Sequence, residues 1–268
     1  DYSTIQTYYY ILFSDVADEK TLNELVTIGD RKGKYVKLLS DENKEEWIEF
    51  GYTASGTKEY KYAVHFKDIV DFISFMPDDT TINWNIHWTT KWLNKKAIDD
   101  ALEPEQRELN KRTGADEVYR FRSFIIDFED EEIHKRLAEE GRPLTDEEFE
   151  ALCKKAFEEL PQEIKDAVFC VAYTGGGGHF VLRFDRWVVK DEVTHVMEWL
   201  KEKLKGCKHI DSKSFLPTQG QRLIGTVNAK YNVLTYIYAL NFNAKKLHVD
   251  DILIEAGARQ VIKEKTRQ

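Results

Sequence analysis

At 268 residues, with 42% hydrophobic and 32% charged side chains, the chain has the composition of an ordinary soluble globular protein with an ample core. No apolar run approaches the roughly 18–20 residues of a membrane span, and the start, Asp1-Tyr2-Ser3, lacks the basic region of a secretory leader. A formal net charge of −9 argues against a surface that binds nucleic acid all over.

The charge is uneven. Residues 129–160 hold 12 acidic and 5 basic side chains, whereas residues 201–230 hold 7 basic and 2 acidic, so a local basic surface is available for phosphates. Three widely spaced cysteines, Cys153, Cys170 and Cys207, with no Cys-x-x-Cys, predict a reducing, cytoplasmic location and no structural zinc.

In chain order, residues 4–13 include Tyr8-Tyr9-Tyr10-Ile11-Leu12-Phe13 and read as a buried strand. Leu22, Leu25 and Val26 are at helical spacing within residues 21–28. Strands are expected at 34–39, 60–66 and 81–88, and a short helix at 67–75. The charged stretch 95–114 is a candidate boundary. A strand then ends at Asp127. A helix begins at Thr145, where Thr145 and Glu148 have capping-box spacing and Phe149, Leu152, Cys153, Ala156, Phe157 and Leu160 form one apolar stripe. Strands at 167–173 and 179–184, a helix at 193–204 and a strand at 207–211 complete the order strand, helix, strand, strand, helix, strand. That is the split βαβ, ferredoxin-like or RRM-like plan. It places the end of the first strand beside the start of the third, and the fourth strand on the first strand's other side.

Three stretches carry the chemistry. Residues 122–130 form an apolar run ending in Asp127-Phe128-Glu129. On a strand, residues two apart share a face at roughly 6.5 Å. Two carboxylates so placed either face water at a strand end or share a pair of hard divalent cations, which sit about 3.5–4 Å apart in two-metal sites. Residues 174–179 read Thr174-Gly175-Gly176-Gly177-Gly178-His179, with more glycine than a two-residue hairpin needs. The turn is either a flexible tip or a backbone cradle for phosphate, with His179 as a contact. Asp211-Ser212-Lys213 ends the fourth strand, and Gln221 to Lys230 follow. Asp211 is a third candidate carboxylate, and Lys213, Arg222 and Lys230 are cations for a triphosphate or template backbone, or else plain surface charge. His209 shares the strand face of Asp211 and is either a group supporting that carboxylate or, the favoured reading, a core histidine.

An Asp-x-Glu strand end, a Gly-rich turn closing on His and then Asp followed by Arg-x-x-Gly-Thr-x-Asn-x-Lys resembles the archaeo-eukaryotic primase superfamily. The nearest likeness is to the primase-polymerases of plasmids, viruses and other prokaryotic mobile elements. The resemblance spans residues 121–230. It implies an α+β fold in which an N-terminal α/β unit (1–115) precedes an RRM-like catalytic unit (116–250), with 251–268 as a tail and a candidate truncation point before a further domain. It implies a template-directed nucleotidyltransferase, a DNA primase or polymerase. Asp127, Glu129 and Asp211 would be catalytic and hold Mg²⁺ or Mn²⁺. His179 and Arg222 would bind the nucleotide, with Thr174, Gly175, Gly176, Gly177, Lys213, Asn228 and Lys230 around it. Implied partners are single-stranded DNA template and primer, NTP or dNTP, and a helicase domain or replication protein; no membrane is implied. The position before His179, often aromatic in that family, is Gly178.

Two other classes compete. A replication-initiator nuclease would need a His-x-His pair, and none of the seven histidines forms one. A non-catalytic single-strand-binding module would need exposed aromatics on the central strands, where Asp127 and Glu129 stand instead.

Overall fold

The computed structural model describes residues 1–14, 19–20, 22, 46–54, 62–66, 84–89, 92–94, 118–217 and 219–266. The helices are α1 (Tyr2–Phe13), α2 (Glu131–Glu140), α3 (Asp146–Glu158), α4 (Gln162–Lys165), α5 (Val193–Lys203) and α6 (Val249–Thr266). The strands are β1 (Glu46–Ala54), β2 (Tyr62–Phe66), β3 (Trp84–Thr89), β4 (Trp92–Asn94), β5 (Val118–Phe128), β6 (Val168–Tyr173), β7 (Gly178–Val189), β8 (Gly220–Arg222), β9 (Val227–Asn228), β10 (Val233–Leu234) and β11 (Tyr236–Leu240). The fold is α+β. One sheet runs β11-β6-β7-β5-β4-β1-β3-β8, with β2 on β1, and its strand pairs are antiparallel. β9 and β10 form a separate ladder.

The period-2 alternation of β5 and β7 divides the sheet into two unlike faces. Phe124, Ile126 and Phe128 of β5 and Phe180, Leu182 and Phe184 of β7 join the main core, with Phe149 of α3 and Leu200 of α5. Phe128 stacks on Phe180 with ring centroids 4.2 Å apart. The alternate residues Ser123, Asp127, His179 and Arg183 turn to the other face, which α1 covers. Ser123 Oγ donates to the Leu12 carbonyl at 3.0 Å, and the Arg183 guanidinium donates to that of Ser14 at 3.0 Å.

α1 corrects the strand expected at residues 4–13. Asp1 caps it by accepting from the Thr4 N–H at 3.3 Å. Ile5, Gln6, Thr7, Tyr8, Tyr9, Ile11, Leu12 and Phe13 are all buried. A helix enclosed on nearly every side shows no polar stripe, so its apolar run is indistinguishable by period from a buried strand.

The other central elements stand close to where they are expected: β5, β6, β7, α3 and α5 in order, with β7 between β6 and β5. β2 and β3 coincide with the strands at 60–66 and 81–88. The fourth strand is reduced to three residues. Phe128 bridges Ile210, the Glu129 N–H donates to the His209 carbonyl at 2.8 Å, and the Asp211 N–H donates to that of Asp127 at 2.8 Å. The chain then enters a 3-10 turn, Ser212–Phe215, which Asp211 caps through the Lys213 N–H at 2.9 Å. β4 holds the rest of that edge of β5. α2 and β11 belong to stretches with no assignment from sequence, and residues 251–266 of the expected tail lie in α6, whose Ile252 and Ala256 are buried. Beyond Leu22, the expected elements at 21–28, 34–39 and 67–75 and the stretch 95–114 lie outside the described residues. No helix among the described residues is long and apolar enough to cross a membrane.

Candidate active site

β5 and β7 set the centre of the site. Asp127 is the register partner of His179, which is also opposite Ala172 of β6. The 209–211 segment closes the other side, since the Asp211 N–H is bonded to the Asp127 carbonyl. Asp127, Glu129 and His179 line a cleft of about 210 Å³ together with Thr174, Gly176 and Gly177 of the turn. Arg222 on β8 and Asn228, Lys230 and Tyr231 complete the lining. Of the residues expected from sequence, Gly175, Asp211 and Lys213 are not in the cleft lining, although Asp211 is bonded to Asp127 and acts on it by charge. A larger cavity of about 530 Å³, between α5 and residues 204–215, contains none of the three carboxylates.

The electrostatics follow from that crowding. Burial, then the negative charges of Glu129 and Asp211, push the Asp127 carboxyl up to about 8, against the opposing pull of Arg222. Burial, helped by Arg222, pushes His179 down to about 3. Its ring Nδ1 is 2.8 Å from the Tyr8 hydroxyl. A buried carboxyl kept from ionising by two more carboxylates is a place where negative potential accumulates, and oxygen donors of this kind suit Mg²⁺ or Mn²⁺. The donor chemistry therefore fits a hard divalent ion. The side chains are not gathered into a cage: among the described residues no three His, Cys, Asp or Glu are grouped to hold a metal ion. Asp211 Oδ1 is occupied by its cap, and Glu129 Oε2 is 4.0 Å from His134 Nδ1.

The glycine turn is shaped from within. A Cβ on Gly178 would lie 2.3 Å from the Phe128 ring and 2.7 Å from the Ala172 carbonyl oxygen, and one on Gly177 would lie 2.2 Å from the Phe128 carbonyl oxygen. At these two positions, then, the bodies that come close to the backbone are the neighbouring strands, β5 and, at Gly178, also β6. Asn228 holds the turn from the side. Its amide donates to the Thr174 carbonyl at 2.8 Å, and its Oδ1 accepts from the Lys230 N–H at 3.1 Å.

Four residues enter that the sequence reading passed over or assigned differently. Tyr8 reaches His179 only because residues 2–13 are helical. His134, one turn into α2, has Nε2 3.1 Å from Lys230 Nζ and lines the cleft; the signal for it was the Asp130 cap, which accepts from the N–H groups of Glu132 and Ile133. Tyr231 lies under the turn, with Lys230 Nζ 5.0 Å from its ring centroid. His209 is a half-buried tie and not a core residue: Nδ1 is 2.8 Å from Glu159 Oε1, and Nε2 is 3.3 Å from Asp130 Oδ2.

No protein-family model and no curated protein matches the sequence. Among solved structures, the chain is similar to the AEP domain of the primase-polymerase (PrimPol) of cyanophage S-2L, at 12% identity and a TM-score of 0.48, over 81% of this chain and 92% of that one. That is a distant likeness, too low to assign an activity.

Proposed function

We propose that the chain is a template-directed nucleotidyltransferase, a DNA primase or polymerase that adds nucleotides to a primer or starts one. The observation that carries this reading is the convergence of Asp127, His179 and Arg222, from three separated stretches, on one small cleft, with Asp211 bonded to the Asp127 backbone beside it. In this reading residues 116–250 are an RRM-like catalytic unit behind an N-terminal unit of residues 1–115.

Asp127, Glu129 and Asp211 would hold Mg²⁺ or Mn²⁺. Bound there, the divalent ions supply the charge that activates a primer 3′-hydroxyl and stabilises the departing pyrophosphate. The chain's own groups do the rest. Arg222 offers a planar cation to phosphate oxygens, and Lys230 a second positive charge in the cleft lining. His179 contributes a hydrogen bond from a fixed position on β7. The Thr174–Gly177 turn, braced by Asn228, keeps the wall beside them low enough for a phosphate chain. The base is left to pair with a template strand. Lys213 lies outside the cleft, where it suits the template backbone.

The test is a primed template supplied with one nucleotide at a time, in Mg²⁺ and in Mn²⁺, with product length as the readout. Incorporation should follow the template base and vanish in Asp127→Ala, Glu129→Ala and Asp211→Ala proteins that keep their far-UV circular dichroism. Template-independent addition would make the protein a terminal transferase. No product in either metal, with tight binding of single strands, would make it a binding module.

A further inference from the structure

We propose that Tyr8 is a positioning residue for His179: its hydroxyl donates to Nδ1 and so holds the imidazole in the tautomer that carries its proton on Nε2, as a neutral hydrogen-bond donor to a phosphate oxygen. This inference rests on the reading of the cleft as a nucleotide site. It adds the form in which His179 acts and the element that sets that form.

The Tyr8 hydroxyl and His179 Nδ1 are 2.8 Å apart, at normal hydrogen-bond length. Both side chains are buried, Tyr8 fully and His179 to 1% exposure, and their rings lie at 23° with centroids 6.2 Å apart. The pair joins α1 to β7 across 171 residues of sequence. Phenol is the stronger acid and neutral imidazole the stronger base, so the O–H donates and Nδ1 accepts. A neutral imidazole has one donor and one acceptor nitrogen. Once Nδ1 accepts, Nε2 carries the hydrogen, and Nε2 is the ring nitrogen that makes no hydrogen bond among the described residues. His179 lines the cleft with Asp127, Gly176 and Arg222.

Two rings buried together and joined by one hydrogen bond are held as a neutral pair and not an ion pair. Without the hydroxyl the ring is free to exchange tautomers, and Nε2 then spends part of its time as a lone pair, which repels a phosphate oxygen.

The decisive measurement is the imidazole ¹⁵N–¹H long-range correlation spectrum of the full chain labelled at histidine, with His179→Gln used to assign the signal. The expected pattern is protonated Nε2 and unprotonated Nδ1; protonated Nδ1 in the unaltered protein overturns the proposal. In Tyr8→Phe, which keeps the ring packing, the two nitrogen shifts should converge. Affinity for Mg²⁺-dATP should fall roughly 5- to 10-fold, as expected for one lost hydrogen bond, with affinity for a single-stranded oligonucleotide unchanged. Unaltered tautomer and nucleotide affinity in Tyr8→Phe overturn the proposal, while His179→Ala continues to test the nucleotide-site reading on its own. Should Tyr8→Phe fail to fold, the spectrum of the unaltered protein still decides. If His179→Ala binds Mg²⁺-dATP normally, it is the reading of His179 as a phosphate contact that falls.

Discussion

Asp127 is a side chain that works against the stability of the fold where it lines the candidate cleft. Its carboxyl is raised to about 8, so the native state binds this proton more tightly than the unfolded chain, where an aspartate titrates near 4. Its effect on stability is therefore neutral below about pH 4, grows more unfavourable as pH rises, and levels off above about pH 8. Asp127→Asn removes that dependence. In chelator, its unfolding free energy should exceed that of the unaltered protein by on the order of 1–3 kcal/mol at about pH 9, with the gain fading by about pH 4. Urea titrations at the two pH values check this, and Mg²⁺ should shrink the gain by stabilising only the unaltered protein. Gly178 makes the opposite case, a residue whose identity is set by packing alone. Gly178→Ala drives a methyl into the Phe128 ring and the Ala172 carbonyl, and should cost roughly 1–3 kcal/mol or more. Gly141→Ala, at the C-cap of α2 with φ +64° and open space around it, should cost only about 1 kcal/mol.

At the scale of elements, legibility tracked how one-sided each element's environment is. α3 was readable because it has one apolar stripe and an N-terminal signature, and both are realised: Thr145 and Glu148 form the capping box, and Phe149, Leu152 and Ala156 are buried. β5 and β7 were readable as short apolar runs bounded by polar turns, and from their order came the pairing of Asp127 with His179. α1 was misread because it is enclosed on both sides. Tyr8 was lost with it, since a tyrosine on a strand at that position has no reason to meet residue 179. α2 went unread because its single buried residue, Leu137, gives no periodicity among six acidic and basic neighbours that keep it solvated. The α3 cap also yields a test. Arg142 and the Thr145 backbone hold the Glu148 carboxyl down to about 2. A depressed carboxyl stabilises the fold above its unfolded value near 4.3, and that contribution is lost as pH falls toward about 2. Glu148→Gln should therefore lower the melting temperature at about pH 6 by a small amount and leave it nearly unchanged at about pH 2. An equal loss at both values would mean that Glu148 acts through packing and not through its charge.

Over the whole molecule, core and cleft draw on different parts of the chain. Among the described residues, the main hydrophobic cluster draws its buried members from residues 118–252. The cleft, by contrast, depends on elements at both ends of the sequence. Arg222 is on β8, whose ladder partner is β3, with His87 opposite it. His179 is held by α1, which also packs Ile5 against Gly225, where a Cβ would lie 2.6 Å from the Ile5 side chain. A fragment of residues 116–268 should therefore keep its core and a cooperative thermal transition, because the described cluster lies within it. It should also expose the apolar patch that α1 covers and bind a hydrophobic dye that the full chain does not. With β8 and the Tyr8 bond both without support, its affinity for Mg²⁺-dATP should fall by roughly 10- to 150-fold, the range for losing a charge-assisted contact. Calorimetry on fragment and full chain, side by side, makes the comparison. A fragment that binds nucleotide as the full chain does would place the whole site within residues 116–268 and leave α1 and β3 a purely structural part.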